Sequence, residues 1–308
     1  MRHHTPEDFP VGEARLSFAL PRPIDLPRTL GHARMGSGDP CLRLVGDSVW
    51  RATRTPLGLA TERLRVGTGG SIDVDAWGPG AAWLVERAPN LCGALDDPGA
   101  FSPAQPLLSH LARRHAGLRI GRNEAVFETA MFVTLEQRVA TRDAWHNWRG
   151  LVRALGEPAP GPMPGLFAPP SPRRIAGTPY EVFHRFGIER RRSDVIRRLA
   201  VVAHRLEETV DLPLEMAYRR FVSITGVGPW TAARVGLIAL GDADAVSVGD
   251  LHLPHVVSWA LAGERRGSDE RMLELLEPFR GHRGRVIRLL LAGGLSPRPT
   301  DSGDNTAR

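Results

Sequence analysis

The sequence predicts a mainly α-helical protein with a small α+β unit at its N-terminal end. Three observations carry that expectation. From about residue 99 onward, apolar residues recur at helical spacing in successive segments. Ahead of them, Ile72, Val74 and Ala76 alternate with Asp73 and Asp75, the period of a half-buried strand. The 308 residues, 42% of them hydrophobic, are enough for two packed units.

In chain order, residues 1–10 are polar and aperiodic and predict a loose tail. An α+β domain over 11–98 follows. It has strands over 14–20, 48–55, 57–66 and 71–76, a short helix over 27–33 and a covering helix starting near Pro79. The run Gly67-Thr68-Gly69-Gly70 is a turn between the last two strands. A helical domain over 99–297 carries helices at 104–115, 123–139, 142–155, 178–186, 192–209, 213–224, 229–240, 250–262, 268–277 and 282–292. Residues 156–172 contain prolines at 158, 160, 162, 164, 169, 170 and 172, so they form a surface connection or rigid linker. Residues 298–308 form a second tail.

The net charge of +6 fits a polyanionic partner. All 40 basic side chains are arginine, because the chain contains no lysine. No side-chain amine is therefore present to form a Schiff base with a sugar aldehyde. Cys41 and Cys92 are the only cysteines, which excludes a four-cysteine iron–sulfur cluster and argues against a structural zinc site. No apolar signal core opens the chain and no stretch is apolar enough to span a membrane, so a cytoplasmic location is expected.

Residues 224–232 read Ile-Thr-Gly-Val-Gly-Pro-Trp-Thr-Ala between two predicted helices. Gly226 and Gly228 bracket the turn, where side chains would block positive φ and the close approach of a phosphate. With Val227, and with Pro229 opening the next helix, the turn presents backbone N–H groups to an anion. Thr231 is placed to fasten the hairpin back onto its turn. Asp250 follows twenty-two positions after Gly228, ahead of an apolar run, where an aspartate also serves as a helix cap. Asp242 and Asp244 are rival carboxylates, expected to be solvent-exposed in the connecting loop. His252 and His255, three apart, lack a third metal ligand nearby and read as solvated. The arginine runs 190–192 and 280–288 read as solvated helix faces.

The hairpin and Asp250 together resemble the signature of the helix–hairpin–helix DNA glycosylase superfamily, and most closely that of bacterial 3-methyladenine DNA glycosylase II. The likeness extends to residues 118–140, to Phe186-Gly187-Ile188 with Arg191-Arg192-Ser193, and to 272–294. It implies a mainly α glycosylase fold with a TATA-binding-protein-like α+β domain at the N-terminus. The implied catalytic group is Asp250. A fixed anion beneath the sugar stabilises the positive charge that develops as an N-glycosidic bond breaks. The implied partner is double-stranded DNA with a damaged, alkylated purine turned out of the stack. The enzyme it implies is a nucleoid-associated monomer that requires no cofactor. The resemblance also implies a Na+ or K+ ion on the main-chain carbonyls of Val222, Ile224 and Val227.

By the same resemblance Trp230 and Phe127 wall the base pocket, and Gln137 and Arg138 fill the gap in the duplex. Trp230 also stands where strand-cutting members carry lysine, which implies hydrolysis alone. Arg234 replaces a pocket tyrosine and Leu291 a tryptophan, so the pocket is less aromatic than one built to hold cationic purines. Trp145, Trp148 and Trp259 are alternative sources of an aromatic wall. Gly249 replaces an acidic or polar neighbour of the catalytic aspartate and is expected to make that loop pliant. Two other readings stand beside this one: a lesion-binding protein with little catalysis, and a glycosylase for non-alkyl or bulky adducts.

Overall fold

The computed structural model describes residues 12–296, so the expected tails at 1–10 and 298–308 lie outside the described residues. Strands β1 (Glu13–Phe18), β2 (Leu42–Val45), β3 (Ser48–Thr55), β4 (Gly58–Val66) and β5 (Ile72–Trp77) form one antiparallel sheet in the order β1-β5-β4-β3-β2. The predicted alternation sets the register: Val74 faces Leu16 on one side and Leu64 on the other, all on the covered face. Helices α1 (Leu26–Leu30) and α2 (Ala81–Leu91) cover that face, with Leu26, Leu30, Leu84, Ala88 and Leu91 buried against it. Strand β2 has no counterpart in the sequence reading; it is four residues long at the sheet edge.

The helical part begins with α3 (Pro106–Arg114) and α4 (Val126–Leu135). Every residue of α4 except Glu128 is buried, so this helix is apolar all round and forms the axis of the core. Around it pack α5 (Thr141–Leu155), α8 (Arg190–Val201), α9 (Ala203–Glu207) and α11 (Pro229–Val235). Short helices α6 (Pro172–Ala176) and α7 (Tyr180–His184) precede α8, and α10 (Leu214–Val222) precedes α11. The last layer is α12 (Leu253–Ala262), α13 (Asp269–Leu276) and α14 (Arg283–Ala292), which bury Val256, Val257, Met272, Leu276, Val286 and Leu290 against Leu108 and Leu111 of α3.

The proline-rich stretch is a clasp, not a free linker. Strands β6 (Glu157–Pro158) and β7 (Phe167–Ala168) pair, and Leu166 packs on Trp50 and Ala52 of the sheet. Its carbonyls are taken up from the N-terminal unit: Arg43 Nη1 donates to Pro164 O at 3.0 Å and Arg54 Nε to Pro169 O at 2.7 Å. Met35 and Cys41, from the loop before β2, lie in the helical core itself. Asp39 pins that loop by accepting from Met35 N, Cys41 N and the indole of Trp148 on α5.

Two expectations about charge are corrected. Arg192, Arg285 and Arg288 are buried rather than solvated. Arg192 donates to the carbonyls of Leu135 and Gly187 and to Asn147 Oδ1, satisfying the C-terminal end of α4. No helix among the described residues is long and apolar enough to cross a membrane.

Candidate active site

Helices α10 and α11 form the hairpin, joined through residues 223–228. Gly226 adopts φ +97°, and a Cβ there would lie 2.2 Å from Val195 Cγ2 on α8. Gly228 has φ −96°, an ordinary conformation, and a Cβ on it would meet nothing within 4 Å. The first glycine serves the turn and its packing; the second leaves open space in front of the hairpin. Pro229 opens α11, whose first internal bond runs from Ala232 N to Gly228 O at 2.9 Å. The N–H groups of Trp230 and Thr231 therefore precede the helix's own ladder. Val227, 7% exposed, donates its N–H to Ile224 O at 2.9 Å and plugs the turn into the core.

Thr231 does not bond the turn directly. Gln137 bridges them, its Nε2 donating to Gly226 O at 3.1 Å and to Thr231 Oγ1 at 2.8 Å. Gln137 is thus committed to holding the hairpin. The exposed residue beside it, Arg138, has φ +54°, strained for a side-chain-bearing residue.

Asp250 stands at the end of a loop stapled along its length. Asp242, buried, accepts from the Tyr218 hydroxyl at 2.6 Å, and burial together with that carboxylate pushes the phenol's pKa up. Burial works against the charged form of Asp244, but its hydrogen bonds to Arg283 prevail and hold its carboxyl below the usual range. The two rival carboxylates are therefore loop anchors and not solvent-exposed groups. Gly249, at φ +89°, donates its N–H to Asp269 Oδ2 at 2.9 Å. It supplies a backbone geometry that L residues resist, in a loop that is tethered rather than pliant.

The Asp250 carboxylate accepts three N–H bonds. Oδ1 takes those of His252 and Leu253, at 2.8 and 3.0 Å, at the start of α12, and Oδ2 takes the indole Nε1 of Trp230 at 2.8 Å. Capping and fixing a carboxylate beside the hairpin are thus one arrangement. Trp230 is half-buried, rests on the helical core and orients the carboxylate. Trp230→Phe should keep the ring and lose the bond, lowering turnover roughly tenfold with KM little changed. Single-turnover kinetics on saturating substrate checks this, and a pure KM effect would leave Trp230 as a stacking wall only.

The remaining pocket expectations fare differently. Phe127, 4% exposed inside α4, belongs to the core, and its backbone N–H is held by Glu207, so it walls no pocket in this structure. Leu291 is 51% exposed on α14 and encloses nothing. Trp148 is core, stacked edge-on with Phe132. Arg234 pairs with Glu136 Oε2 at 2.9 Å, a partner with no signal in the sequence. His255 Nδ1 accepts from Gly267 N at 3.1 Å, and no cluster of three His, Cys, Asp or Glu suited to a metal occurs among the described residues.

A helical core with a Gly-Pro hairpin, a capping aspartate beyond it and a five-stranded N-terminal sheet is the architecture of the helix–hairpin–helix DNA glycosylases, and the chain has that fold. No family model matches the chain. A 3-methyladenine DNA-glycosylase from Archaeoglobus fulgidus superposes with a TM-score of 0.75 at 20% identity, over 91% of this chain and 98% of that one. MBOgg1 in complex with a low affinity DNA ligand superposes with 0.72 at 16% identity, over 95% and 98%. In sequence, the protein named "Putative DNA-3-methyladenine glycosylase YfjP" of Bacillus subtilis (strain 168) is 24% identical over 154 residues, 49% of this chain. The match spans about half of that relative, 52% of its length.

Proposed function

We propose that this protein is a DNA glycosylase that hydrolyses the N-glycosidic bond of a damaged purine in duplex DNA and leaves an abasic site. The observation that carries this reading is the Asp250 carboxylate, fixed by Trp230 Nε1 and two backbone N–H groups beside the hairpin. The hairpin and surrounding arginines hold the DNA backbone, with Arg138 at the duplex gap. As the C1′–N bond breaks, the departing base takes the electron pair and positive charge builds on the sugar. Asp250 stabilises that charge and accepts a proton from the water that forms the new C1′–O bond. No lysine is present, and the position next to the carboxylate holds an indole, which supports a reading of hydrolysis without strand cleavage unless the N-terminal amine serves as the nucleophile.

Carbonyl oxygens suit a hard monovalent cation, and Val222, Ile224 and Val227 offer them at the turn. Ile224 O keeps a second lone pair beyond its bond to Val227 N–H. A Na+ or K+ held there would add positive field where a phosphate approaches. An alkylated purine is the base named in two of the relatives above.

The test is incubation of the protein, as a monomer by sedimentation, with duplexes each carrying one modified purine, with and without borohydride. Alkali-labile abasic sites are expected, without trapped protein–DNA adduct and with affinity falling steeply as salt rises. Binding without release would favour the lesion-binding reading, and a trapped adduct would contradict simple hydrolysis.

A further inference from the structure

The described residues hold a second concavity, and none of Asp250, Trp230, Gln137 or Gly228 lines it. It is a groove of about 560 Å³ between α8 and α9 on one side and the end of α10 with residues 223–225 on the other. That volume falls within the roughly 300–1,000 Å³ usual for a binding cleft. Its floor is apolar. Leu206 is buried there, Val202 and Ile224 are half-buried, and Val201 stands at the edge, 68% exposed. An apolar side chain left that open at the lip of a cleft has surface to bury against a partner.

Arginine supplies the rim. Asp194, Arg197, Arg198 and Val201 recur at helical spacing and share one face of α8. A stripe of charge by itself is a solvated helix face. Here Arg205 and, from the opposite wall, Arg220 complete four guanidiniums around an apolar hollow. Two of them are held in place. Arg198 Nη1 donates to Thr225 O at 3.1 Å, and Arg220 Nη1 donates to Arg205 O and Glu208 Oε2, both at 2.7 Å. The other two have donors to spare. Arg197 buries its Nε with no partner, and the exposed Arg205 makes no side-chain bond or ion pair among the described residues. Asp194 is the one acidic side chain on these walls, so the groove carries a net positive charge.

We propose that this groove docks a short acidic segment of a partner protein, with at least one bulky apolar side chain among its carboxylates. The apolar side chain settles on Val202, Leu206 and Ile224. The guanidiniums of Arg197 and Arg205 take carboxylates, whose two oxygens match the forked N–H groups. Nucleic acid fits less well. A phosphodiester strand would satisfy the arginines but presents nothing apolar to the floor. The lining also ends at Thr225, short of the N–H groups at the start of α11. The rim charges set the rate and salt dependence of docking, and the covered apolar contact sets its lifetime. No residue of the groove takes part in the chemistry assigned to Asp250, so docking stands apart from the glycosylase reading.

Hexapeptides synthesised as a mixed library of Asp, Glu, Leu, Phe, Asn and Gly are passed over the immobilised full-length protein, and the retained sequences are read. The retained pool should be enriched in peptides that combine Asp or Glu with Leu or Phe. A fluorescently labelled member should bind with a Kd on the order of 10 µM. Arg205→Glu and Val201→Gln, both at exposed positions, should each weaken it at least about fivefold. Arg191→Glu, the same charge reversal on an exposed part of α8 outside the groove, should change it by less than about twofold. Saturating duplex DNA should leave the peptide bound. Retention governed by acidity alone, no enrichment, or unchanged affinity in either groove variant overturns the proposal. Displacement by duplex overturns it too, because the groove would then belong to the path of the DNA backbone.

Discussion

Asp250→Asn should lower base release by on the order of 10³-fold while leaving DNA affinity and the fold nearly intact. The geometry says why the two effects separate. Asparagine keeps an oxygen for the N–H groups of His252 and Leu253, so α12 retains its cap. Its amide replaces the oxygen that faces the Trp230 indole, setting donor against donor where a bond of 2.8 Å stood. The local cost is one hydrogen bond, about 1 kcal/mol. On the glycosylase mechanism proposed above the chemical cost is larger, because the negative charge assigned to the developing sugar cation is gone and no neighbour replaces it. Asp242 is tied to Tyr218 and Asp244 to Arg283. Single-turnover release with a parallel binding isotherm tests the split. Turnover at the wild-type rate would remove Asp250 from the chemistry.

What could be read from the sequence divides along physical lines. Helix α4 was visible because its apolar residues are continuous, and β5 because Ile72, Val74 and Ala76 alternate with charges. Both signals are local. The burial of Phe127 was not visible, since an all-apolar helix does not say which side meets a pocket. Nor was that of Arg192, which lies on α8 but satisfies carbonyls at the end of α4, fifty-seven residues away for Leu135. The prolines of 156–172 correctly excluded helix, yet their carbonyls also bind Arg43 and Arg54 across the domain joint, which no local pattern encodes. The same holds at the site. Trp230 and Asp250 sit in a motif, whereas Gln137 meets Thr231, and Glu136 meets Arg234, only through tertiary packing.

The two hairpin glycines should respond in opposite ways to the same added methyl group. Gly226→Ala forces a side chain into φ +97° and drives its Cβ to 2.2 Å from Val195 Cγ2, a residue 1% exposed in the core. Backbone strain of about 1–2 kcal/mol and overpacking of about 1–3 kcal/mol add, lowering Tm by about 5–15 °C and weakening DNA binding through a displaced turn. Gly228→Ala meets nothing within 4 Å at φ −96°, so Tm should stay within about 1 °C of wild type. If the open space before Gly228 is where a phosphate seats, the same methyl obstructs it, and affinity for duplex should fall roughly tenfold or more. Calorimetry and fluorescence anisotropy on both variants resolve the two effects. Gly228→Ala with wild-type affinity would mean that no phosphate approaches the turn at that glycine, and the hairpin's role in holding DNA would have to rest on the N–H groups of Trp230 and Thr231 alone.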